Sequence, residues 1–299
     1  MPSRLLAGLL LFAVAGVALA ARDSGEPEAP PALLDEGPLP LALAARSVEV
    51  QGLPLDQRMA AISELMLGVA YQVDAVGEGR PPDLDPPARY DAFDCLTFVE
   101  EVLALSLAGA PSGAAAVRQA LRYGPAEPRY ENRRHFMLSQ WVPGAIADGW
   151  LVDITEQLGP ASLIEKQIAP STWAGWRRRA LFQLPDDKLP VGRFELPVLS
   201  VDAVREAAAD LPAGALLLTV RQSREGVPMV VTHLGFLLPA EPGQPRRVRH
   251  ATKMRGLRVM DHSLDWYLEH LRWYDRWPVA GINVLMPQEQ GPRRSRLPG

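Results

Sequence analysis

One cysteine, Cys95, stands among 299 residues, so no disulfide can form within the chain and its stability must come from packing. A basic excess is also missing: Lys+Arg 31 against Asp+Glu 35 leaves a net charge of -4 and a pI of about 5.8. Proteins that hold nucleic acid carry the opposite balance to neutralise phosphates, and that class of partner is excluded. Beyond the N-terminal end there is no apolar run of the roughly 18 residues that a bilayer-crossing helix needs. Neither a His-Glu-x-x-His motif nor a paired-cysteine spacing occurs, so no metal and no other cofactor is expected. Proline is plentiful, with 29 residues beside 24 glycines, which predicts a loop-rich chain. A hydrophobic fraction of 47% is enough to build a core and lies well outside the composition of disorder.

The N-terminus reads as a targeting segment. Arg4 precedes the apolar stretch Leu5 to Val17, and Ala18-Leu19-Ala20 has the small-x-small form of a cleavage site. Residues 1–20 are therefore expected to be a signal peptide, the mature chain to be exported to the periplasm, and no membrane span to remain after removal. A secreted cysteine normally pairs, so an exported chain with a single thiol calls for a purpose. Residues 21–46, rich in Pro, Ala and acid, read as an extended linker. The folded domain is expected over 47–287, and 288–299, with Arg293, Arg294 and Arg296, as a basic tail.

Within the domain, Leu55, Met59, Ile62, Met66 and Val69 recur at helical spacing and predict a helix from Leu55 to Tyr71. The prolines between Gly77 and Arg89 predict a loop. It leads to Asp94-Cys95-Leu96-Thr97-Phe98, the start of a segment that is apolar almost all round except for Glu100 and Glu101. That is the pattern of a central buried helix, with Asp91 or Asp94 capping its first turn. Ser200 to Leu211 reads as a further helix. Strand-like runs then follow at Ala215–Val220, Met229–Leu238, Arg247–Ala251, Leu257–Met260 and Gly281–Met286. Helices first and strands joined by short connections later predict an α+β fold with an antiparallel sheet.

A thiol at a helix start meets the positive end of the helix dipole and free backbone N–H groups, the setting of a nucleophile; in an apolar helix the same residue also serves as a small hydrophobe. A nucleophile needs a base, and five histidines are available: His135, His233, His250, His262 and His270. Strand alternation places His233 on one face with Val231, Gly235 and Leu237, where the glycine lets a helix approach closely. His250, on the next run, is placed to hold the other ring nitrogen of His233 as the third member of a triad does. The cluster Arg133, Arg134 and His135 reads either as a carboxylate clamp or as a solvated charge run. Tyr90 either lines a cleft beside Cys95 or packs. Among Trp173, Trp176, Trp266, Trp273 and Trp277, a sugar-stacking platform competes with core and anchor roles.

Asp94-Cys95-Leu96-Thr97-Phe98-Val99-Glu100, Thr232-His233-Leu234-Gly235-Phe236 and His250-Ala251-Thr252 resemble the cysteine, histidine and third-residue motifs of NlpC-type papain-like cell-wall hydrolases. With Glu131-Asn132-Arg133-Arg134-His135-Phe136 and Trp141 between them, they resemble more closely the N-acetylmuramoyl-L-alanine amidase-like family within that group, over roughly Leu55 to Met286. The resemblance implies a papain-like fold, with the Cys95 helix packed on an antiparallel sheet that carries His233 and His250. It implies Cys95, His233 and His250 as catalytic residues and peptidoglycan fragments (muropeptides) as partners. The bond implied is the amide between muramic acid, in an anhydro form, and L-alanine. Tyr90, Asp94, Thr232, Arg133, Arg134 and His135 are the candidate substrate contacts. In related endopeptidases an Asp before the cysteine holds a free amine, whereas the capping role alone remains for Asp94 on an acylated substrate. A stem-peptide endopeptidase cutting D-glutamyl to diaminopimelate, and an idle fragment-binding module, are the alternative readings.

Overall fold

A computed structural model describes residues 32–254 and 256–289; the expected signal peptide, the start of the linker and most of the basic tail lie outside the described residues. The chain runs α1 (Leu41–Glu49), α2 (Leu55–Glu64), β1 (Ala70–Tyr71), β2 (Ala92–Phe93), α3 (Cys95–Leu107), α4 (Ala114–Tyr123), α5 (Val142–Ala147) and β3 (Leu151–Asp153). It continues through β4 (Ser162–Ile168), α6 (Pro170–Gly175), β5 (Gly192–Val198), α7 (Val201–Glu206), β6 (Leu216–Arg221) and β7 (Val231–Leu237). It closes with β8 (Arg247–Thr252), β9 (Arg258–Ser263), α8 (Leu264–Leu271) and β10 (Val279–Pro287). The fold class is α+β. Eight strands form one sheet in the order β2-β1-β9-β8-β7-β6-β10-β3, antiparallel except for β1 with β2, while β4 and β5 form a separate antiparallel pair.

The sheet is covered on both faces. Leu216, Leu218, Val220, Leu234 and Phe236 point to the α3 side, and Phe236 stacks on Phe98 at 5.9 Å. Leu217, Leu237 and Val248 point to the side of α7 and α8, against Leu264, Tyr267 and Leu268. Every residue of α3 from Thr97 to Leu107 is buried, as an all-round apolar helix must be. Its two carboxylates are held by α4, one turn apart: Arg118 makes a bidentate pair with Glu101 at 2.6 and 2.8 Å, and Arg122 meets Glu100 at 2.7 Å. Trp141 Nε1–H also donates to Glu100, at 2.9 Å. Neither buried charge is left without a partner, the condition under which ions are tolerated in a core.

Three elements depart from the sequence reading. The helix from Leu55 stops at Glu64, because Gly68 at φ +84° turns the chain into β1, so Met66 reaches the core from a turn. The end of the expected linker is helical: α1 buries Leu43 and Ser47, and Glu36 ahead of it pairs with Arg118. Short apolar positions inside a Pro-Ala stretch gain order only through such partners, which local composition does not display. The third helix is shorter than expected, Val201–Glu206 under a Ser200 cap, with turns up to Asp210. Among the described residues no helix is long and apolar enough to cross a membrane.

Candidate active site

Asp94, not Asp91, starts α3. Thr97 N–H donates to Asp94 Oδ1 at 2.8 Å, and Asp94 N–H donates to Thr97 Oγ1 at 2.9 Å, a reciprocal cap that places Cys95 at the first helical position. Asp91 is exposed and paired with Arg89 at 2.8 Å. The N–H groups of Cys95 and Leu96 lie before the helical ladder begins, and both act on the Cys95 sulfur together with the N–H of Leu234.

Leu234 is reachable because the sheet opens there. β7 and β8 pair only at Phe236↔Arg249 and Leu237↔Val248, so toward His233 the two strands part and the N-terminus of α3 meets the opening. A register shift between Thr219 and Val220 leaves Thr232 as an extra residue on β7, a bulge of the kind that re-aims side chains beside functional sites. It corrects the simple alternation: Val231 packs on the α3 side with Leu234, whereas His233 shares the α8 side with Gly235 and Leu237. The close approach at Gly235 is made by β8, not by a helix, since a Cβ there would lie 2.8 Å from the Cβ of His250.

His233 Nε2 is 2.7 Å from His250 Nδ1, and His250 Nε2 is 2.8 Å from His262 Nδ1, so three rings on β7, β8 and β9 form one chain. The sequence predicts the first link; His262 lies two residues past the predicted run Leu257–Met260, on a strand that extends to Ser263. His262 stacks on Trp266 at 3.9 Å and Trp266 on His270 at 5.0 Å, a ladder set by four-residue spacing into α8. Each ring–ring hydrogen bond carries one proton. If His233 Nδ1 is to accept a proton, Nε2 must hold one and donate it to His250 Nδ1, and His250 Nε2 must in turn donate to His262 Nδ1. In that arrangement the one nitrogen of His233 not engaged by His250 is the basic one.

Electrostatics keep the resting groups neutral. Burial, and then the Asp94 carboxylate, push the Cys95 thiol up to about 12, against the pull of the three N–H groups. Burial, then Arg221, His262 and His270, bring His233 down to about 4, and burial drives His250 well below the usual range. The resting pair is thus thiol and imidazole, not the ion pair expected from a helix dipole acting alone. Tyr71 of β1 and Tyr267 of α8 both sense the Cys95 charge; Tyr267 Oη is anchored 2.8 Å from Thr219 Oγ1, opposite His233 in the ladder.

The other candidates have different places. Tyr90 turns away from Cys95 to Arg118, at 3.4 Å, and Tyr71 is the tyrosine beside the thiol. Arg133 is held by Asp83 at 2.7 Å, Glu78 at 3.4 Å and Val76 O at 2.8 Å, and Arg134 by Asp148 at 2.6 Å. Both guanidinium groups are ion-paired inside the fold. His135 Nε2 bonds Tyr130 O at 2.6 Å within an aromatic cluster. Thr232 is exposed, and its hydroxyl accepts from Arg221 Nε at 3.0 Å. Trp173 and Trp176 are buried against Phe136 and Phe182, while Trp273 is exposed.

Residues 61–272 match the N-acetylmuramoyl-L-alanine amidase-like family (AmiA-like), and the chain belongs to that family. A comparison with curated proteins gives no match. Among solved structures, a protein of Legionella pneumophila str. Philadelphia 1 superposes with a TM-score of 0.71 at 22% identity, over 82% of this chain and 93% of that one. An N-acetylmuramoyl-L-alanine amidase from Bacteroides uniformis superposes with a TM-score of 0.59 at 21% identity, over 78% of this chain and 99% of that one. At such identities the likeness concerns the fold.

Proposed function

We propose that the protein is an exported, periplasmic cysteine amidase of the NlpC-type papain-like group that cleaves the amide between N-acetylmuramic acid, in its anhydro form, and L-alanine in peptidoglycan fragments. Family membership supports the amidase reading. The observation that carries the cysteine mechanism is the position of Cys95: it opens α3, and the backbone N–H groups of Cys95, Leu96 and Leu234, the last the neighbour of His233, favour its thiolate.

In this mechanism the Cys95 proton passes to His233 Nδ1 as sulfur attacks the lactyl carbonyl carbon. The oxyanion forms against the N–H groups of Cys95 and Leu96, pre-aimed by the helix start. The carbon–nitrogen bond then breaks, His233 returns its proton to the alanine nitrogen, and a thioester remains. Water, deprotonated by His233, attacks the thioester and releases the sugar carboxylate and the thiol. His250 and His262 hold the tautomer and orientation of His233 throughout. Transfer from a neutral pair fits the resting state, because charge is separated only when the oxyanion is there to be stabilised.

Mass spectrometry of defined muropeptides incubated with the mature chain tests this. The expected products are a free muramic-acid sugar and a peptide with an N-terminal L-alanine amine, their masses summing to the substrate plus one water. Products split after D-glutamate would instead identify a stem-peptide endopeptidase, and unchanged substrate with measurable binding an idle module.

A further inference from the structure

The relay runs across the sheet from β7 to β9, and two flanks lie beside it in the strand order. Beyond β9 lies β1 with Tyr71, over whose ring Lys253 Nζ sits at 5.5 Å. On the other flank lies β6, ending in Arg221, which is only 8% exposed. Arg221 Nε donates to Thr232 Oγ1 at 3.0 Å and Nη1 to Trp277 O at 2.7 Å, and its guanidinium covers the Tyr274 ring at 3.7 Å. Every other buried arginine along this part of the sheet has a carboxylate: Arg249, for example, meets Asp261 at 2.7 Å. Among the described residues no carboxylate lies within ion-pair distance of Arg221. A desolvated cation without an anion is costly unless something else satisfies it.

Arg221 forms the floor of a cavity of about 460 Å³ whose other walls are Trp273, Tyr274, Asp275, Arg276 and Trp277. Trp277 is fixed by its Nε1–H donating to Gln222 O at 2.7 Å, with Arg224 over its ring at 5.3 Å. Trp273 is 62% exposed, although Tyr267, Leu268 and Leu271 just before it are fully packed. A large exposed indole beside a second, immobilised one presents flat apolar surface at low entropic cost, and the buried guanidinium between them supplies donors. The bulge at Thr232 ties this cavity to the relay, since Thr232 holds Arg221 and is followed at once by His233.

We propose that this cavity binds the sugar side of the scissile amide: the apolar face of an N-acetylated pyranose stacks on Trp273 and Trp277, and an acyl oxygen of the sugar accepts from Arg221. The stem peptide, with its carboxylates, then leaves toward Tyr71 and Lys253. The assignment rests on the amidase reading.

The test compares two substrates sharing the same lactyl–alanine amide, an N-acetylmuramoyl-L-alanyl peptide and an O-methyl-D-lactyl-L-alanyl peptide without the sugar, on the mature protein and on Trp273→Ala. Because Trp273 is exposed, the variant is expected to melt with the parent. Its kcat/KM on the sugar substrate should fall about tenfold, chiefly through KM, and should change less than about twofold on the sugar-free one. Equal losses on both substrates, or no loss on the first, would overturn the proposal. If the parent cleaves neither substrate, the amidase reading fails, and a tryptophan-fluorescence titration of Cys95→Ala with N-acetylmuramic acid alone decides the cavity. Saturable quenching that disappears in the Cys95→Ala/Trp273→Ala double variant upholds the sugar site; no quenching, or quenching that survives, refutes it.

Discussion

Gly235→Ala places the tightest demand on the relay. The new methyl carbon would stand 2.8 Å from His250 Cβ, 2.9 Å from Arg249 O and 3.1 Å from Val248 Cγ1. Carbon atoms settle near 3.5 Å or beyond, so β8 must retreat by about 0.7 Å. The two shortest contacts are to a Cβ and a backbone oxygen, which no side-chain rotation can move aside. Overpacking of this kind costs about 1–3 kcal/mol, and in a domain of this size each kcal/mol lowers Tm by roughly 2–4 °C. The same retreat stretches the 2.7 Å bond between His233 and His250 toward about 3.4 Å, where it no longer holds a tautomer. General-base catalysis contributes on the order of 10²-fold or more, so kcat should fall by about that factor. Thermal melts by circular dichroism and single-turnover hydrolysis of a muropeptide measure the two effects, with Gly52→Ala, which has open space around its Cβ position, as the neutral control. A variant that melts several degrees lower yet turns over normally would show that the relay is dispensable, and one unchanged in both respects would refute the close strand approach itself.

Four further outcomes are expected. With His233 held near 4, the base stays unprotonated through mild acid, so the acid limb of kcat/KM should fall near pH 4 and not near 6.5. Stability should follow the same groups: below pH 6.5 the unfolded histidines gain protons that buried His250 and His233 refuse, so urea midpoints should decline from pH 6.5 toward 4. The slope is about 1.4 kcal/mol per pH unit for each such group, and a constant midpoint between pH 7 and 5 would contradict it. Asp94→Asn retains a capping side chain but removes the charge that raises the thiol, so iodoacetamide should label Cys95 faster at pH 8 with an unchanged melt; equal or slower labelling counts against the electrostatic account. Arg134→Ala takes the guanidinium from Asp148 and should cost about 3 kcal/mol without altering KM of the folded protein, whereas a raised KM at unchanged stability would return Arg134 to the substrate.

How far the sequence carried depended on whether a signal was local. The α3 boundary was readable because a capping Asp and an all-apolar run are neighbours in the chain, and β6, β7, β8 and β10 were readable because their β-rich runs are bounded by turn residues. The burial of Glu100 and Glu101 was visible as an interruption of that run; its remedy, two arginines one turn apart on α4, was not. α1 was read as linker, since its order comes from contacts its own composition does not announce. The strand pair β4–β5, with its buried Trp173 and Trp176, also escaped, because its register is set across the chain.

At the site, residue types and spacing alone pointed to Cys95 as a nucleophile and to His233 with His250 as its partners. Those inferences need only a helix start and two adjoining strands. The tertiary structure decided everything that depends on which atoms face each other. It opened β7 from β8 where α3 arrives, inverted the face of Val231 through one extra residue, extended the histidine pair to His262, and replaced Tyr90 with Tyr71 beside the thiol. It also committed Arg133 and Arg134 to internal carboxylates while leaving Arg221 with none among the described residues. Chemical identity is written residue by residue, so the sequence determines which reactions are available. Protonation, tautomer and partner are set by desolvation and by distances of a few ångströms between segments far apart in the chain, and these exist only once the sheet has closed around them.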